Sequence, residues 1–253
     1  MFFTFLTMLI YNKDDMKKVS IVIPVYNEEA YIGKTLHEVV RADIGNFERE
    51  IVIIDDGSQD ATAQKITSFI HKNKRQKITF LQNKINEGKG ASLKKGLLKT
   101  LGEIVIVQDA DLEYSPRDYP LLLEPFLQNN ADVVYGSRFI SNRPHRVVYF
   151  WHFVANTFLT FFSNMLTNLN FTDMETGYKV FKGDVIRKIA PKLKSKRFGF
   201  EPEITARISK EKALIVYEVG ISYSGRTYEE GKKIGWIDGV YAVFQIIIFN
   251  LFG

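Results

Sequence analysis

The chain has 253 residues, of which 45% are hydrophobic and 25% are charged, as expected for a globular domain with a sizeable core. It contains no cysteine, which excludes a disulfide framework and a thiolate metal site. The net charge is +5, and the basic residues gather late in the chain, where they suit phosphate groups or an anionic membrane face. We expect no nucleic-acid partner.

Residues 1–18 are predicted to form an N-terminal extension. Its first eleven residues, MFFTFLTMLIY, are apolar but lack the basic leading segment and the small-residue cleavage site of a signal peptide. They are also too short to span a bilayer. The segment therefore has no assigned role.

Between residues 19 and 136 short apolar runs alternate with polar segments of helical spacing. Strands that are apolar on both faces and alternate with helices indicate an α/β fold, with a mostly parallel sheet covered by helices on both faces. The predicted strands are 19–23, 51–54, 78–81, 104–107 and 132–135, and the predicted helices lie near 29–41, 60–72, 89–101 and 117–128.

The stretch 147–168 predicts an amphipathic helix that lies in a membrane interface. It carries no charged residue, and its polar residues recur every three or four positions while the aromatic residues lie mostly elsewhere. This pattern favours a helix lying in the interface over one crossing the bilayer, although two core helices of a soluble domain stay an alternative for this stretch and the tail. The polar residues are His152, Asn156, Thr160, Ser163 and Thr167.

The rest of the chain predicts a strand near 178–181, a helix from about 202 to 210, and a last apolar stretch at 240–252. That stretch is too short to span a bilayer unaided. We therefore expect one α/β domain at 19–235, including the interfacial helix, and a membrane-associating tail at 236–253. Whether the tail needs a membrane protein partner stays open.

Polar motifs directly follow three of the predicted strands. They are PVYNEE at 24–29, DDGS at 55–58 and DAD at 109–111. Each is weak alone, since Asp-Gly is commonly a turn. Ligands of parallel sheets bind at the carboxyl ends of the strands, so the three together predict one site at that edge.

The Asp109 and Asp111 pair predicts a metal site. Residues two apart in extended chain point to the same side, so both carboxylates can face one ligand. Mg²⁺ takes one or two carboxylates and completes its shell with substrate phosphates and water. Glu113, two residues further on, is a third ligand or a partner of the ligands.

In their order and spacing, PVYNEE, DDGS, NEGKGAS and DAD resemble the GT-A fold glycosyltransferases of family 2. GSR at 136–138 and TDMETGYKVF at 172–181 resemble the branch that contains dolichol-phosphate mannose synthase, dolichol-phosphate glucosyltransferases and bacterial polyprenyl-phosphate glycosyltransferases. The resemblance covers about 19–235. It implies an Mg²⁺- or Mn²⁺-dependent enzyme, peripheral on the cytoplasmic face of a membrane. This enzyme would transfer one sugar from a UDP- or GDP-sugar to a polyprenyl phosphate by a single inverting displacement.

The resemblance also implies roles for individual residues. Asp109 would lie near the ribose or sugar, Asp111 would hold the metal, and Arg138 would approach the acceptor phosphate. Glu113 stands where many relatives carry Gln, so the extra carboxylate puts the metal preference in doubt. Arg146 and then His152 are the candidates for a second acceptor contact. Donor-nucleotide contacts are implied for Pro24, Tyr26, Glu28, Asp55, Asp56 and Lys89, and contacts from a loop closing over the diphosphate for Arg226 and Lys232.

The acceptor decides whether a base is needed. A phosphate monoester has a second pKa near ~6 and is already largely dianionic at neutral pH, whereas a sugar hydroxyl needs a positioned base. Asp173 is the candidate base and Glu175 the second, unless both only brace the turn before the strand. Glu201 and Glu203 flank a proline, which favours a helix start, and the alternative places Glu203 near the sugar.

Two other functions stay open beside phosphate-acceptor transfer. One is a family 2 enzyme that glycosylates a sugar hydroxyl with Asp173 as base, and the other is a non-catalytic membrane scaffold that binds nucleotide sugars. A dinucleotide-binding oxidoreductase is disfavoured because no G-x-G-x-x-G follows the first strand. A nucleotidyltransferase is disfavoured because the loop after that strand is acidic.

Overall fold

The structure is a computed structural model that describes residues 17–140, 146–147, 149–211, 213–226 and 236–253, with side chains in the last segment from 239 on. Its centre is a seven-stranded sheet with the strand order β3-β2-β1-β4-β6-β5-β7. The strands are β1 (Lys18–Val25), β2 (Glu48–Asp55), β3 (Lys77–Gln82), β4 (Ile104–Val107), β5 (Val133–Ser137), β6 (Lys179–Lys182) and β7 (Val216–Gly220).

Eight helices of the described part pack around this sheet. α1, α2 and α4 bury apolar residues with one sheet face, while α3, α6 and α7 do so with the other. The two-sided cover explains why the central strands are apolar on both faces. The helices are α1 (Ile32–Arg41), α2 (Thr62–Lys72), α3 (Lys89–Leu97), α4 (Tyr119–Gln128), α5 (Phe150–Thr167), α6 (Gly183–Ile189), α7 (Phe200–Lys210) and α8 (Trp236–Leu251).

The predicted fold class is confirmed, with one reversal of direction within the sheet. β6 runs antiparallel to both neighbours, β4 and β5, while the remaining pairs are parallel. β7 and α6 were not predicted. β7 is a half-buried edge strand that pairs only with β5, so its sequence lacks the apolar run that marked the central strands.

α5 turns its polar side towards the protein. Thr160, Ser163 and Thr167 are buried, whereas Trp151 is 76% exposed and Phe161 65% exposed. Thr160 Oγ1 accepts a 3.1 Å hydrogen bond from the backbone N–H of Met174, in the loop that follows α5. The aromatic residues therefore form the outer surface of this helix.

α8 packs against α5 and α7. Ala242 and Ile246 are buried with Leu159 and Met174, while the other side of α8 exposes a second set of large apolar residues. No helix within the described part of the chain has both the length and the apolar character needed to cross a bilayer. The large exposed apolar residues of α8 are Val240, Tyr241, Phe244, Ile248 and Leu251, and Phe252 directly after the helix is exposed too.

Candidate active site

The carboxyl ends of β1, β2 and β4 lie side by side at one edge of the sheet. Val25 of β1 is paired with Asp55 of β2, and Val22 is paired with Val107 of β4. The loop after β1 therefore lies between the DDGS loop and the loop that contains Asp109. This arrangement brings the three motifs predicted from the sequence to one place.

Arg226 is bound to the acidic side chains of this edge. Its Nη2 lies 2.7 Å from Asp111 Oδ2 and its Nη1 lies 3.2 Å from Glu28 Oε2. The guanidinium also lies over the Tyr31 ring, 5.4 Å from the ring centroid. A cationic group thus occupies the space in front of Asp111, where a metal ion was predicted.

Glu113 holds the segment that carries Arg226. Its Oε2 accepts a hydrogen bond of 2.9 Å from Tyr223 Oη, and its Oε1 accepts one of 2.8 Å from the backbone N–H of Arg226. Within the described part of the chain, no three acidic or histidine side chains converge as a metal site. The predicted set of Asp109, Asp111 and Glu113 is therefore not assembled, and Glu113 acts here as a partner of Arg226.

The expectation that Asp109 and Asp111 share one face of extended chain is wrong. β4 ends at Val107, and Ala110 and Asp111 lie in a turn, so the segment from Asp109 to Asp111 is not extended chain. The two carboxylates consequently face different cations, Lys89 for Asp109 and Arg226 for Asp111.

Asp111 still has the electrostatics of a cation ligand. Burial, with the charges of Asp109 and Glu113, raises its pKa to about 7 against the opposing effect of Arg226. A buried carboxylate crowded by other carboxylates is stabilised by added positive charge. The residues present therefore fit a dication that uses Asp111 and completes its shell from substrate phosphates.

Lys89 joins the end of β4 to the start of α7. Its Nζ lies 2.9 Å from Asp109 Oδ1 and 3.1 Å from Glu201 Oε1. Burial alone would lower the pKa of Lys89, but the charges of Asp109 and Glu201 outweigh it and hold the pKa well above its usual value. Lys89 is therefore a permanent cation at the centre of the site.

The turn that presents Lys89 depends on Asp56. Asp56 Oδ2 accepts a 2.7 Å hydrogen bond from the backbone N–H of Gly88, and Oδ1 accepts one from Glu87. Gly88 has a φ of +97°, and a Cβ there would lie 2.2 Å from the carbonyl oxygen of Lys196. Asp56 thus braces the Lys89 loop, with both of its oxygens bonded within the protein.

Beside this turn lies an open cavity of about 290 Å³ at the carboxyl ends of β2 and β3. Asp55 stands behind it, with its Oδ2 accepting a 3.0 Å hydrogen bond from Gln82 Nε2. Tyr26 lies partly exposed at the end of β1, and Pro24 is buried within that strand. The cavity is lined by Gly57, Ser58, Gln59, Gln82, Asn83 and Lys84.

Arg138, at the end of β5, forms the second half of the site with Asp173. Its Nε lies 2.6 Å from Asp173 Oδ2 and its Nη2 lies 2.7 Å from Oδ1, so the pair is bidentate. Asn156 of α5 contacts both residues, since its Oδ1 accepts from Arg138 and its Nδ2 donates to Asp173. Asp173 is fully buried, so it fixes the direction of the guanidinium.

Several residues of the site were not identified from the sequence. Asn156 belongs to the polar stripe of α5, which was the available signal, but the partner it meets was not deducible. The Tyr223 ring lies 5.3 Å from the Arg138 guanidinium, and nothing in its sequence context indicated this. Glu201 was interpreted only as part of a helix start, yet it also holds Lys89.

The remaining predicted residues lie at the periphery or outside the described residues. Arg146 Nη1 donates a 3.0 Å hydrogen bond to the carbonyl oxygen of Gly225, and His152 lies against the Tyr149 ring. Glu203 accepts from the backbone of Lys194 and from Arg207, so the helix-start interpretation is confirmed and Glu203 serves the fold. Lys232 and the N-terminal residues 1–16 lie outside the described residues.

Comparison with solved structures places this architecture among the GT-A glycosyltransferases. The glucosyl-3-phosphoglycerate synthase of Mycobacterium tuberculosis, solved with Mn²⁺, UDP and phosphoglyceric acid, superposes with a TM-score of 0.67 at 18% identity. The superposition covers 94% of this chain and 80% of that chain. The same enzyme solved with Mg²⁺ and UDP gives a TM-score of 0.66. At this identity the likeness shows the fold.

Sequence comparison shows the family. A dolichyl-phosphate beta-glucosyltransferase of Dictyostelium discoideum is 29% identical over 89% of this chain and 72% of its own length. A dolichyl-phosphate beta-glucosyltransferase of Trichomonas vaginalis is 27% identical over 91% of this chain and 73% of its own length. The sequence model of glycosyl transferase family 2 matches residues 20–189. The chain is thus a glycosyltransferase of family 2, with the GT-A fold and similarity to the polyprenyl-phosphate branch.

Proposed function

We propose that this enzyme transfers one hexose from a nucleoside diphosphate sugar to a polyprenyl phosphate at a membrane surface. The observation that carries the proposal is the position of α5. One side of this helix places Asn156 against Arg138, and the other side exposes Trp151 and Phe161. A guanidinium and an aromatic surface on opposite sides of one helix suit an acceptor with a phosphate head and an apolar tail.

The donor would bind along the carboxyl ends of β1, β2 and β4. The open cavity beside Asp55 suits the nucleoside, and Lys89 with Arg226 supplies positive charge for the diphosphate. For that, Arg226 must exchange its contact with Asp111 for one with the donor. Asp111, with Asp109 near it, would hold Mg²⁺ or Mn²⁺. When bound, the dication would stabilise the negative charge that develops on the leaving diphosphate.

The transfer itself needs no protein base. An oxygen of the acceptor phosphate attacks the anomeric carbon while the bond to the nucleoside diphosphate breaks, and the sugar carbon inverts. The leaving group departs with the bonding electron pair, and the dianionic acceptor has no proton to lose. Asp173 engages the Nε and Nη2 edge of Arg138, so the acceptor would approach the Nη1 side of the guanidinium.

The contacts of Asp173 weigh against the rival acceptor, a sugar hydroxyl. Its Oδ2 accepts from the backbone N–H and Nε of Arg138, and its Oδ1 accepts from Arg138 and Asn156. A base must reach the proton that it removes, and a buried carboxylate with this many donors is poorly placed to do so.

The support for a peripheral enzyme is the exposed aromatic side of α5. We also propose that the enzyme lies on the cytoplasmic face of the membrane and that its tail can contact a membrane protein partner.

A transfer assay tests this function. Purified protein is mixed with Mg²⁺, short polyprenyl phosphates and a panel of radiolabelled UDP- and GDP-sugars, and the organic phase is counted. Label in that phase that is released by mild acid, and that falls at least about 100-fold in Asp111→Asn, is the expected result. Asp43→Asn, an exposed aspartate at the other end of the sheet, is the matched control.

Two outcomes of the same assay would overturn the proposal. Transfer to a glycan hydroxyl but not to polyprenyl phosphate would establish the rival acceptor. No transfer to either acceptor, with metal-dependent nucleotide-sugar binding retained in calorimetry, would establish a non-catalytic scaffold.

A further inference from the structure

Glu175 stands at the tip of the loop between α5 and β6, and Lys179 clamps the backbone on both sides of it. Lys179 Nζ donates to the carbonyl oxygen of Met174 at 3.0 Å and to that of Thr176 at 2.5 Å. The ammonium group also lies 4.6 Å from the centroid of the Tyr135 ring. The position from which the Glu175 side chain extends is therefore fixed by the fold.

One oxygen of the Glu175 carboxyl group is left without a partner by the described residues. Its Oε1 is buried and has no hydrogen-bond partner among the described residues. Burial and the neighbouring charge of Glu201 raise its pKa to about 8, against the opposing effects of Lys179 and Arg138. A buried polar atom without a partner is costly, and at a functional site it points to a ligand that supplies the missing bond.

This carboxyl group lies between the part of the site around Lys89 and the part around Arg138. It is close enough to Glu201, which Lys89 holds, and to Arg138 for both charges to act on it. Gly177, two residues further on, lies against the donor side, because a Cβ there would be 2.4 Å from Asp109 Oδ2. The loop therefore forms a wall between the expected positions of the diphosphate and the acceptor phosphate.

The carboxyl groups at this loop indicate which part of the reactants it contacts. With a pKa of about 8 the Glu175 carboxyl group is largely protonated at neutral pH, so it can both donate to and accept from a neutral hydroxyl group, while the Glu201 carboxylate beside it disfavours a phosphate. The neutral, hydroxyl-rich part of the reactants is the sugar being transferred, and carboxyl oxygens are good acceptors for its hydroxyl groups.

We propose that Glu175 hydrogen-bonds a hydroxyl group of the donor hexose and thereby discriminates between hexose epimers, with Glu201 held beside it by Lys89. This inference rests on the proposed use of a nucleotide-sugar donor, and it holds for either class of acceptor. A site that hydrogen-bonds a particular hydroxyl group rejects an analogue that presents it elsewhere, since the protein group is then left unpaired.

The test compares Glu175→Gln and Glu175→Ala with the wild type on nucleotide hexoses that differ at a single ring carbon. We expect the ratio of kcat/KM between the best donor and its epimer to fall by about 10- to 100-fold in Glu175→Ala. The affinity for the nucleoside diphosphate alone should stay within about 2-fold, because that ligand has no hexose. Glu218→Gln, which alters a carboxylate that holds the backbone of the same loop at Thr172 and Asp173, should leave the ratio unchanged.

An unchanged epimer ratio in both Glu175 variants would overturn the inference. So would equal losses of affinity for the nucleotide hexose and the nucleoside diphosphate, which would show a general disturbance. If Glu175→Ala is unfolded under the assay conditions, the same two measurements on the isosteric Glu175→Gln test the inference.

Calorimetry with the donor alone separates this inference from the proposed function. The difference in binding free energy between the nucleotide hexose and the nucleoside diphosphate can be measured without an acceptor. A shift of this difference against the nucleotide hexose in the Glu175 variants supports the contact even if no polyprenyl phosphate is glycosylated, whereas an unchanged difference overturns the contact even if transfer occurs.

Discussion

Arg138, Asp173 and Asn156 form one hydrogen-bonded unit at the side of the site proposed for the acceptor. The bidentate pair is buried, so removing one partner leaves the other charge without compensation, which costs about 3–5 kcal/mol in typical cases. In the proposed function Arg138 binds the acceptor phosphate, and Asp173 sets the direction of the guanidinium.

Asp173→Asn should raise KM for polyprenyl phosphate by about 10- to 100-fold and lower kcat by a smaller factor, because Arg138 loses its bidentate partner. Steady-state kinetics with varied acceptor measures both constants. Asp184→Asn, at an exposed position at the start of α6, is the control and should change neither. A near-complete loss of kcat with KM unchanged would instead favour a hydroxyl acceptor with Asp173 as base.

Glu175 should make stability depend on pH. The pKa of its carboxyl group is raised from 4.5 to about 8 in the folded state, chiefly by burial. Between these values the unfolded chain has released the proton that the folded chain retains, so the contribution of this group to stability falls as pH rises. Glu175→Gln removes the titrating group, and its stability relative to the wild type should therefore rise between pH 5 and pH 8.

The expected gain is about 1–3 kcal/mol over that range, measured by urea unfolding at the two pH values. Glu124→Gln, on the exposed side of α4, is the control for loss of a carboxylate. If the free energy of unfolding of Glu175→Gln differs from that of the wild type by the same amount at pH 5 and pH 8, the carboxyl group of the folded state titrates normally.

Among the helices, α5 has two sides of different character, one in contact with the site and one that exposes large aromatic residues. Asn156 contacts the Arg138 unit and Thr160 contacts the Glu175 loop, so the helix positions both of them. Its outer side carries Trp151, Phe158 and Phe161, which a water-facing helix would not favour. This arrangement suits a helix that rests in a lipid interface.

Trp151→Glu combined with Phe161→Glu should lower binding to vesicles of neutral and anionic phospholipid by at least about tenfold. Charged groups would then replace the apolar side chains that insert into the lipid. Sedimentation of the protein with vesicles measures the bound fraction. Leu98→Glu combined with Leu127→Glu is the matched control, since both leucines are exposed, Leu98 directly after α3 and Leu127 in α4. Equal binding by both double variants and the wild type would exclude α5 as the lipid contact.

At the scale of the whole molecule, α8 is packed into the domain. Ile246 is fully buried among residues of α5 and the Glu175 loop, and Lys210 Nζ at the end of α7 donates a 2.8 Å hydrogen bond to the carbonyl oxygen of Phe249. The segment that the sequence marks as a tail thus adds a small core of its own.

Ile246→Ala should destabilise the protein by about 2–4 kcal/mol, because it leaves a cavity in this core. Ile248→Ala, two residues away and 45% exposed, should change stability by less than about 0.5 kcal/mol. Urea unfolding monitored by circular dichroism measures both. Equal small effects would show that α8 is not packed on the domain in solution.

The amino-acid sequence was sufficient to predict the parallel part of the sheet from β1 to β4, the helices α1 to α4 that cover it, and the edge where the site lies. Apolar runs such as 19–23 and 51–54 can be buried on both faces only in a sheet covered by helices, and that requirement is local to each run. The motifs after β1, β2 and β4 follow from the same rule, since the carboxyl ends of parallel strands share an edge.

The tertiary structure decided which charges meet, because those contacts join distant parts of the chain. Arg226 and Asp111 are 115 residues apart, and no local pattern indicates that a guanidinium faces this carboxylate. The inward direction of the polar side of α5 likewise depends on what it packs against. Periodicity defines the two sides of a helix, but only the partners Arg138, Asp173 and Met174 determine which side faces the protein.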